Sequence, residues 1–242
     1  MINTTDPIDA WFLERHSRFT ASENYKLLTA SNKNSEFWSS GAMTYIEEKA
    51  MQSVTHLWER PELEEVSSLL WGKVYEYPAY EAYIRETKNY GMKYLGSENP
   101  IFLKYPTLEE EAGGTPDVAL INNDGSVSAG SEIKCPKNPI YHFRRLNWKD
   151  QWDIKENYPL VYTQIQNLMM ITGAEEWHFV SYDERQAYKS KKIKIIPVFK
   201  DQKFQDNLEL RIRLAVKKKY EILSKYMGLE IKSKNDLSKI IK

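Results

Sequence analysis

Gly114-Thr-Pro-Asp117 and Ser131-Glu-Ile-Lys-Cys-Pro136 bracket the segment that decides the fold. Between them Val118-Ala-Leu-Ile121 is a short apolar run, and Asn122-Asn-Asp-Gly125 follows it. Asn, Asp and Gly tolerate the positive φ of a hairpin turn, so the chain is expected to reverse there. Ser126 to Lys134 then reads as the return strand. Side chains alternate across a strand, so Glu132 and Lys134 share one face and Ile133 takes the other. Pro136 cannot donate to a ladder and ends the strand. Asp117 starts the first strand, which brings it near Glu132.

Two carboxylates that close would raise each other's pKa. A divalent cation relieves the repulsion, and oxygen-only ligands favour Mg²⁺, with Mn²⁺ as a substitute, over zinc. Such an ion binds a phosphate oxygen and acidifies a bound water. Lys134 can orient that water or offset charge on a phosphorane-like transition state. The motif therefore points to a metal-dependent phosphodiesterase, with an ordinary solvated hairpin as the alternative.

At 242 residues the chain can bury one sizeable core, and 41% hydrophobic with 28% charged residues is the balance of a soluble globular protein. No apolar run reaches membrane-spanning length, and Met1-Ile-Asn-Thr-Thr-Asp6 does not read as a signal peptide. The single cysteine, Cys135, excludes an intrachain disulfide and fits a reducing cytoplasm. It is expected to pack as a small apolar group beneath the site. The four histidines, His16, His56, His142 and His178, show no ligand spacing. Formal net charge is zero, yet Tyr188 to Lys242 carries sixteen Lys/Arg against six Asp/Glu. That excess of base is either a local DNA-facing surface or a solvated helix face.

Helices are expected over Asp9 to Leu28 in two pieces, over Ser40 to Trp58, Pro61 to Lys88 and Pro159 to Ile171, where Gly173 stops the last, and over Leu208 to Met227. Thr20-Ala-Ser-Glu23 has capping-box spacing, and a helix N-terminus is an anion site. Strands are expected within Met92 to Tyr105, with Ile101-Phe-Leu103 as core, and at Trp177 to Tyr182 and Lys192 to Phe199. Helices around a small sheet give an α/β class with mixed strands. Ile140 to Glu156 interleaves Tyr141, Phe143, Trp148 and Trp152 with Arg144, Arg145 and Lys149. It is either packing with basic decoration or a surface for unpaired nucleotides.

Five segments, in order, resemble the lambda-exonuclease (YqaJ-type viral recombinase) branch of the PD-(D/E)XK nuclease superfamily. They are Ala10-Trp11 with Arg15 and Thr20-Ala-Ser-Glu23; Leu70-Trp-Gly-Lys-Val-Tyr-Glu76; the two core motifs; Tyr162-Thr-Gln-Ile-Gln166; and Trp177-His-Phe-Val-Ser-Tyr-Asp183. The resemblance implies a restriction-endonuclease-like core, a central mixed β-sheet flanked by helices, in one nuclease domain over 1–242. Its parts would be N-terminal helices 1–90, a catalytic core 91–200 and a basic C-terminal helix 205–242. It further implies that Glu76, Asp117, Glu132 and the Ile133 carbonyl hold Mg²⁺, with Lys134 and Gln164 completing the catalytic set. Arg15, Ser22 and Thr115 would bind a 5′-terminal phosphate.

The implied activity is 5′-to-3′ digestion of one strand of linear duplex DNA, leaving 3′ overhangs for recombination. The implied partners are DNA ends, a ring-shaped homotrimer and a single-strand annealing protein. The implied setting is phage or prophage, hence a bacterial cytoplasm, with no membrane association. Rival readings are an endonuclease or a single-strand or 3′-end nuclease on the same core, and a catalytically silent DNA-end-binding protein. Two departures stand out. The family's glycine after the arginine is absent from Arg15-His-Ser-Arg18, so Arg18 is a second candidate for the phosphate and for DNA contact, alongside Arg144, Arg145 and Lys149. Pro78 lies two residues past Glu76, where it is expected to kink or restart the helix.

Overall fold

The computed structural model describes residues 5–30, 37–56, 67–96, 100–108 and 111–240. The central sheet has five strands in the order β2-β5-β6-β7-β8: Lys93–Tyr94 (β2), Val118–Ile121 (β5), Val127–Lys134 (β6), Glu176–Tyr182 (β7) and Ile193–Phe199 (β8). β6 and β7 run parallel and the other pairs antiparallel, so the mixed sheet is as expected. A second sheet joins Phe19–Thr20 (β1), Ala112–Gly114 (β4) and Leu103–Lys104 (β3), with β1 parallel to β4.

A parallel pair needs a crossover. Here Pro139–Arg145 (α4), Gln151–Asn157 (α5) and Pro159–Thr172 (α6) supply it. α6 starts on Pro159, whose missing amide costs nothing at a first helical turn, and ends on Gly173 at φ 75. Its apolar residues Val161, Ile165 and Leu168 pack with Phe179 and Val198 on one face of the sheet. Ser67–Thr87 (α3) covers the other face, where Ala79 and Tyr83 meet Val118, Ile133 and Val180. Both faces of the central strands are thus buried, which suits their near-continuous apolar runs. Gly130 is small because Trp177 lies across it; a Cβ there would come within 2.2 Å of that ring.

Pro7–Arg15 (α1), Ser40–Gln52 (α2), Gln202–Met227 (α7) and Lys234–Ile240 (α8) complete the helices. α7 docks on α6 through Gln205, whose amide donates to Gln166 Oε1 (2.9 Å). Lys219 of α7 is 2% exposed and donates to Glu111 Oε2 (2.6 Å) and to the Ser17 carbonyl (3.1 Å); Tyr220 also donates to Glu111. A buried ion pair broken on one side leaves an uncompensated charge. Lys219→Met is therefore expected to destabilise the protein by about 3–5 kcal/mol in urea unfolding. A loss below about 1 kcal/mol would show that the cluster behaves as a surface pair.

Several expectations need correction. α2 stops at Gln52, and α3 is described from Ser67; Trp58 and 61–66 lie outside the described residues. α3 does not break at Pro78 but runs through it. The amide that proline lacks would have met the carbonyl of Val74, a residue on the exposed side of the helix. Ile101 and Phe102 are not strand; only Leu103–Lys104 pairs, on β4. Thr20-Ala-Ser-Glu23 opens no α-helix. Thr20 ends β1, and a 3₁₀ turn spans Asn24–Leu28 with no side-chain cap. The Thr-x-x-Glu spacing is used differently, with the Thr20 hydroxyl donating to Glu23 Oε2 (3.2 Å). Among the described residues no helix is long and apolar enough to cross a membrane.

Candidate active site

Val118 pairs with Ser131 in the β5–β6 register, which sets Asp117 opposite Glu132 at the end of the hairpin. The loop between the strands is longer than a two-residue turn: Asn122 N donates to the Ser126 carbonyl (2.8 Å) and Gly125 takes φ 83. Asp117 Oδ2 accepts from the amide of Ile133 (2.7 Å), which fastens the first strand's start to the second strand's end. Ile133 points its side chain into the α3 face, as the alternation requires. Glu132, fully buried, and Lys134 lie on the opposite face, and the Lys134 ammonium donates to Glu132 Oε1. Glu76 arrives from α3, where its Oε1 accepts from the Tyr94 hydroxyl (2.9 Å).

A cleft of about 490 Å³ opens at the carboxyl end of β6, lined among others by Ser22, Glu76, Lys134 and Gln164. Ligands in α/β sheets collect at that end of the strands. Of the two glutamines on α6, Gln164 faces this cleft. Gln166 is structural, donating to the Phe199 carbonyl (2.8 Å) and accepting from Asp201 N (3.0 Å).

The electrostatics are those of an overcrowded acidic site. Burial, then the charge of Asp117, pushes Glu76 up to about 7 and Glu132 up to about 8. Burial also raises Asp117. Burial disfavours the Lys134 ammonium, but Glu132 and Asp117 outweigh it and hold its pKa above the usual lysine value. Cys135 beneath the cleft is raised by burial and by Glu76 and Asp117, so it stays a thiol packed against the α3-side core.

Among the described residues no three His, Cys, Asp or Glu side chains are already gathered as a metal cluster. The residues present nonetheless fit a hard divalent cation. The donor set is all oxygen, the carboxylates repel, and the buried Glu132 Oε2 has no partner among the described residues.

A pH dependence follows. A carboxyl whose folded pKa is raised contributes stability below its ordinary value near 4.5 and loses it as pH rises through the folded value. In metal-free protein, Glu132→Gln should therefore gain in Tm relative to the unsubstituted chain between pH 5 and pH 8.5. A difference that stays flat across that range would mean Glu132 ionises normally.

Arg15, Ser22 and Thr115 come together around a residue to which the sequence alone assigned no role. Trp11 Nε1 donates to Thr115 Oγ1 (2.8 Å), the Arg15 guanidinium lies 4.4 Å from the Trp11 ring, and Arg15 Nη2 donates to Ser22 Oγ (3.4 Å). Burial lowers the Arg15 pKa, with Glu23 partly offsetting it. Tyr94, the partner of Glu76, was also missed. Ala10-Trp11 was visible as a motif, whereas nothing near Tyr94 gave a signal.

Arg18 is placed elsewhere: it is buried, pairs with Glu14 Oε2 (3.1 Å) and lies over Phe102. Arg144 and Lys149 are exposed. Arg145 is 6% exposed, with its guanidinium 4.6 Å from the Tyr158 ring, and it lines the cleft. His142 is a packed histidine, bonded to Ser181 Oγ (2.9 Å) and the Lys191 carbonyl (2.8 Å). Many cations of the basic C-terminal region have acidic partners, among them Arg213 with Glu209 and Lys218 with Glu221.

The fold is shared with solved nucleases. An alkaline exonuclease (LHK-Exo) from Laribacter hongkongensis matches with TM-score 0.70 and 22% identity, over 91% of this chain and 96% of that one. The same enzyme in complex with dAMP matches with TM-score 0.67 and 22% identity, over 91% and 98%. A phage-related exonuclease from Haemophilus somnus 129PT matches with TM-score 0.63 and 14% identity, over 88% and 97%. No curated protein sequence matches the chain. The model of the YqaJ-like viral recombinase domain matches residues 10–175, more than half of the chain, and the restriction-endonuclease-like core agrees with it. The chain belongs to the YqaJ-like viral recombinase family.

Proposed function

We propose that the chain is a Mg²⁺-dependent exonuclease that degrades one strand of linear duplex DNA from its 5′ end and leaves 3′ single-stranded overhangs for recombination. The observation that carries this reading is one cleft with two kinds of wall. Lys134 and Glu76 line it, with Asp117 and the buried Glu132 directly behind Lys134 at the end of β6, and Ser22, bonded to Arg15, lines the same cleft. Asp117, Glu132 and Glu76, with the Ile133 carbonyl, would hold Mg²⁺, for which Mn²⁺ can substitute. Bound there, the ion supplies positive charge to a phosphate oxygen and acidity to a water. Lys134 keeps its proton and offsets charge that builds on the phosphate. Gln164, which lines the same cleft, would hold that water or Lys134. Arg15, with the Ser22 and Thr115 hydroxyls, suits a terminal phosphate dianion.

The neighbour that binds dAMP supports a deoxynucleotide product. A ring-shaped homotrimer, a single-strand annealing partner and a bacterial cytoplasmic setting belong to the same reading. The deciding experiment digests 5′-phosphorylated linear duplexes labelled at either end, beside a closed circle, with and without Mg²⁺. Release of 5′ label only with Mg²⁺, and an intact circle, is expected. Cleavage of the circle would replace this reading with an endonuclease. Metal-independent end binding without turnover would replace it with a silent end-binding protein.

A further inference from the structure

Trp71 and Asp183 belong to segments that carry the family resemblance, yet among the described residues neither lines the catalytic cleft. Arg185 joins them. Its Nε donates to Asp183 Oδ1 (2.7 Å) and its Nη2 to Asp183 Oδ2 (3.1 Å), a two-pronged bond to a residue that is 3% exposed. Its guanidinium lies over the Trp71 ring, 4.5 Å from the centroid. Two further bonds go to the backbone. Nη1 donates to the Lys137 carbonyl (2.8 Å) and Nη2 to the Pro136 carbonyl (3.1 Å).

Those two carbonyls sit where the sheet stops holding the chain. Lys134, opposite Ser181, is the last residue in the β6–β7 register. Pro136 has no amide to continue a ladder. Arg185 thus holds the chain as it leaves β6, and the hold is anchored on Asp183 just past the end of β7. Trp71, the residue it stacks on, stands on α3 five residues before Glu76. One guanidinium therefore touches the exit of β6, the exit of β7 and helix α3. Two of these elements carry the site: β6 bears Glu132 and Lys134, and α3 bears Glu76. A lysine could not replace it, because a single ammonium cannot fork onto a carboxylate, lie flat on an indole and reach two carbonyls. With four hydrogen bonds made and one face covered, most of the guanidinium's capacity is used within the protein.

We propose that Arg185 is a positioning residue of the catalytic centre, a clamp on Asp183 that fixes the exit of β6 against Trp71 and so sets Glu76 against Glu132 and Lys134. It rests on the exonuclease reading for what that centre does. It adds that metal affinity and turnover depend on a guanidinium that touches neither metal nor DNA.

Arg185→Lys and Trp71→Leu loosen the clamp from opposite sides, and neither removes a group that lines the cleft. Titrate Mn²⁺ alone into each metal-free protein by calorimetry, with Tm recorded beside it. Both variants are expected to bind Mn²⁺ about 10-fold more weakly than the unsubstituted protein. On 5′-phosphorylated duplex with Mg²⁺, each should lose about 10- to 100-fold in kcat, with KM for DNA within about twofold. The double variant should lose little more than the worse single one, since both act through one contact. A merely structural role would lower Tm and leave the Mn²⁺ affinity of the folded protein unchanged. Full Mn²⁺ affinity in both variants, no Mn²⁺ binding by the unsubstituted protein, or a double loss equal to the product of the single losses overturns the clamp. Full kcat in Arg185→Lys with a raised KM in Arg185→Ala also overturns it and makes the arginine a DNA contact. The exonuclease reading fails separately, by absence of Mg²⁺-dependent nucleotide release from duplex ends by the unsubstituted protein, an outcome that leaves the Mn²⁺ titrations standing.

Discussion

Lys134→Met is expected to lower Mg²⁺-dependent nucleotide release from linear duplex by roughly 100- to 1,000-fold while the protein stays folded. The size follows from where the ammonium sits. It donates to a carboxylate that is wholly buried, and its positive charge is held by Glu132 and Asp117 against the burial that opposes it. A charge fixed before reaction, against a wholly buried carboxyl group, acts on a developing anion far more strongly than a freely solvated one. Methionine keeps the length and apolar stem but donates nothing. Removing the ammonium, which lowers the Glu132 pKa, lets that carboxyl keep its proton at neutral pH with no counter-charge, so little stability is lost. The measurement is initial rate on a 5′-phosphorylated duplex, with Tm recorded beside it. Asp117→Asn should lose as much rate, and it should also blunt any rise in Tm on adding Mg²⁺. Undiminished rate in Lys134→Met would remove the lysine from the chemistry and leave it as the partner of Glu132.

The hairpin that carries these residues was legible because local rules agreed with one another. Turn residues, a short apolar run and period-two alternation all placed Glu132 and Lys134 on one face and Ile133 on the other. α6 was legible for the same reason, since proline opens it, glycine closes it and the apolar face is continuous. The second sheet was not. Its strands span two or three residues each, too few for a period, and pairing between β1 and β4 joins segments some ninety residues apart in sequence. Glu23 illustrates a different failure. Its spacing from Thr20 fits a helix cap, but Thr20 sits in β1 and a turn follows it: the Glu23 amide donates to the Thr20 carbonyl (2.9 Å) and the Thr20 hydroxyl to Glu23 Oε2. The choice between Arg15 and Arg18 was open because both sit near the end of α1. Ser17 decides it. Its φ of 64 turns the chain sharply, in the conformation that glycine adopts freely. Its amide donates to Gln52 Oε1 (3.2 Å) and its carbonyl accepts from Lys219, so both sides of the turn are held. Arg15 is left with Trp11 and Ser22, and Arg18 with Glu14.

Arg15→Ala is expected to abolish the preference for phosphorylated ends, lowering kcat/KM on 5′-phosphorylated duplex by about 10- to 100-fold. On a duplex with 5′-hydroxyl ends it should change little. A charge-assisted bond to a dianion is worth about 1.5–3 kcal/mol, and Arg15 is the cation that the structure sets beside Ser22. Its guanidinium already lies against the Trp11 ring and close enough to Ser22 for a long bond of 3.4 Å, so binding a phosphate needs little further ordering. Burial holds its pKa below the usual arginine value and Glu23 offsets this only in part, so an anion bound beside it would favour the charged form. Arg18→Ala supplies the contrast. It removes a buried partner of Glu14 and should cost stability, while the ratio of rates on phosphorylated and hydroxyl ends stays unchanged. Thr115→Val should act in the same direction as Arg15→Ala but more weakly, because it removes one neutral hydroxyl and the acceptor for Trp11 Nε1. If Arg15→Ala lowered the rate equally on both kinds of end, the arginine would be holding DNA in general, and the 5′ direction would have to come from another part of the cleft.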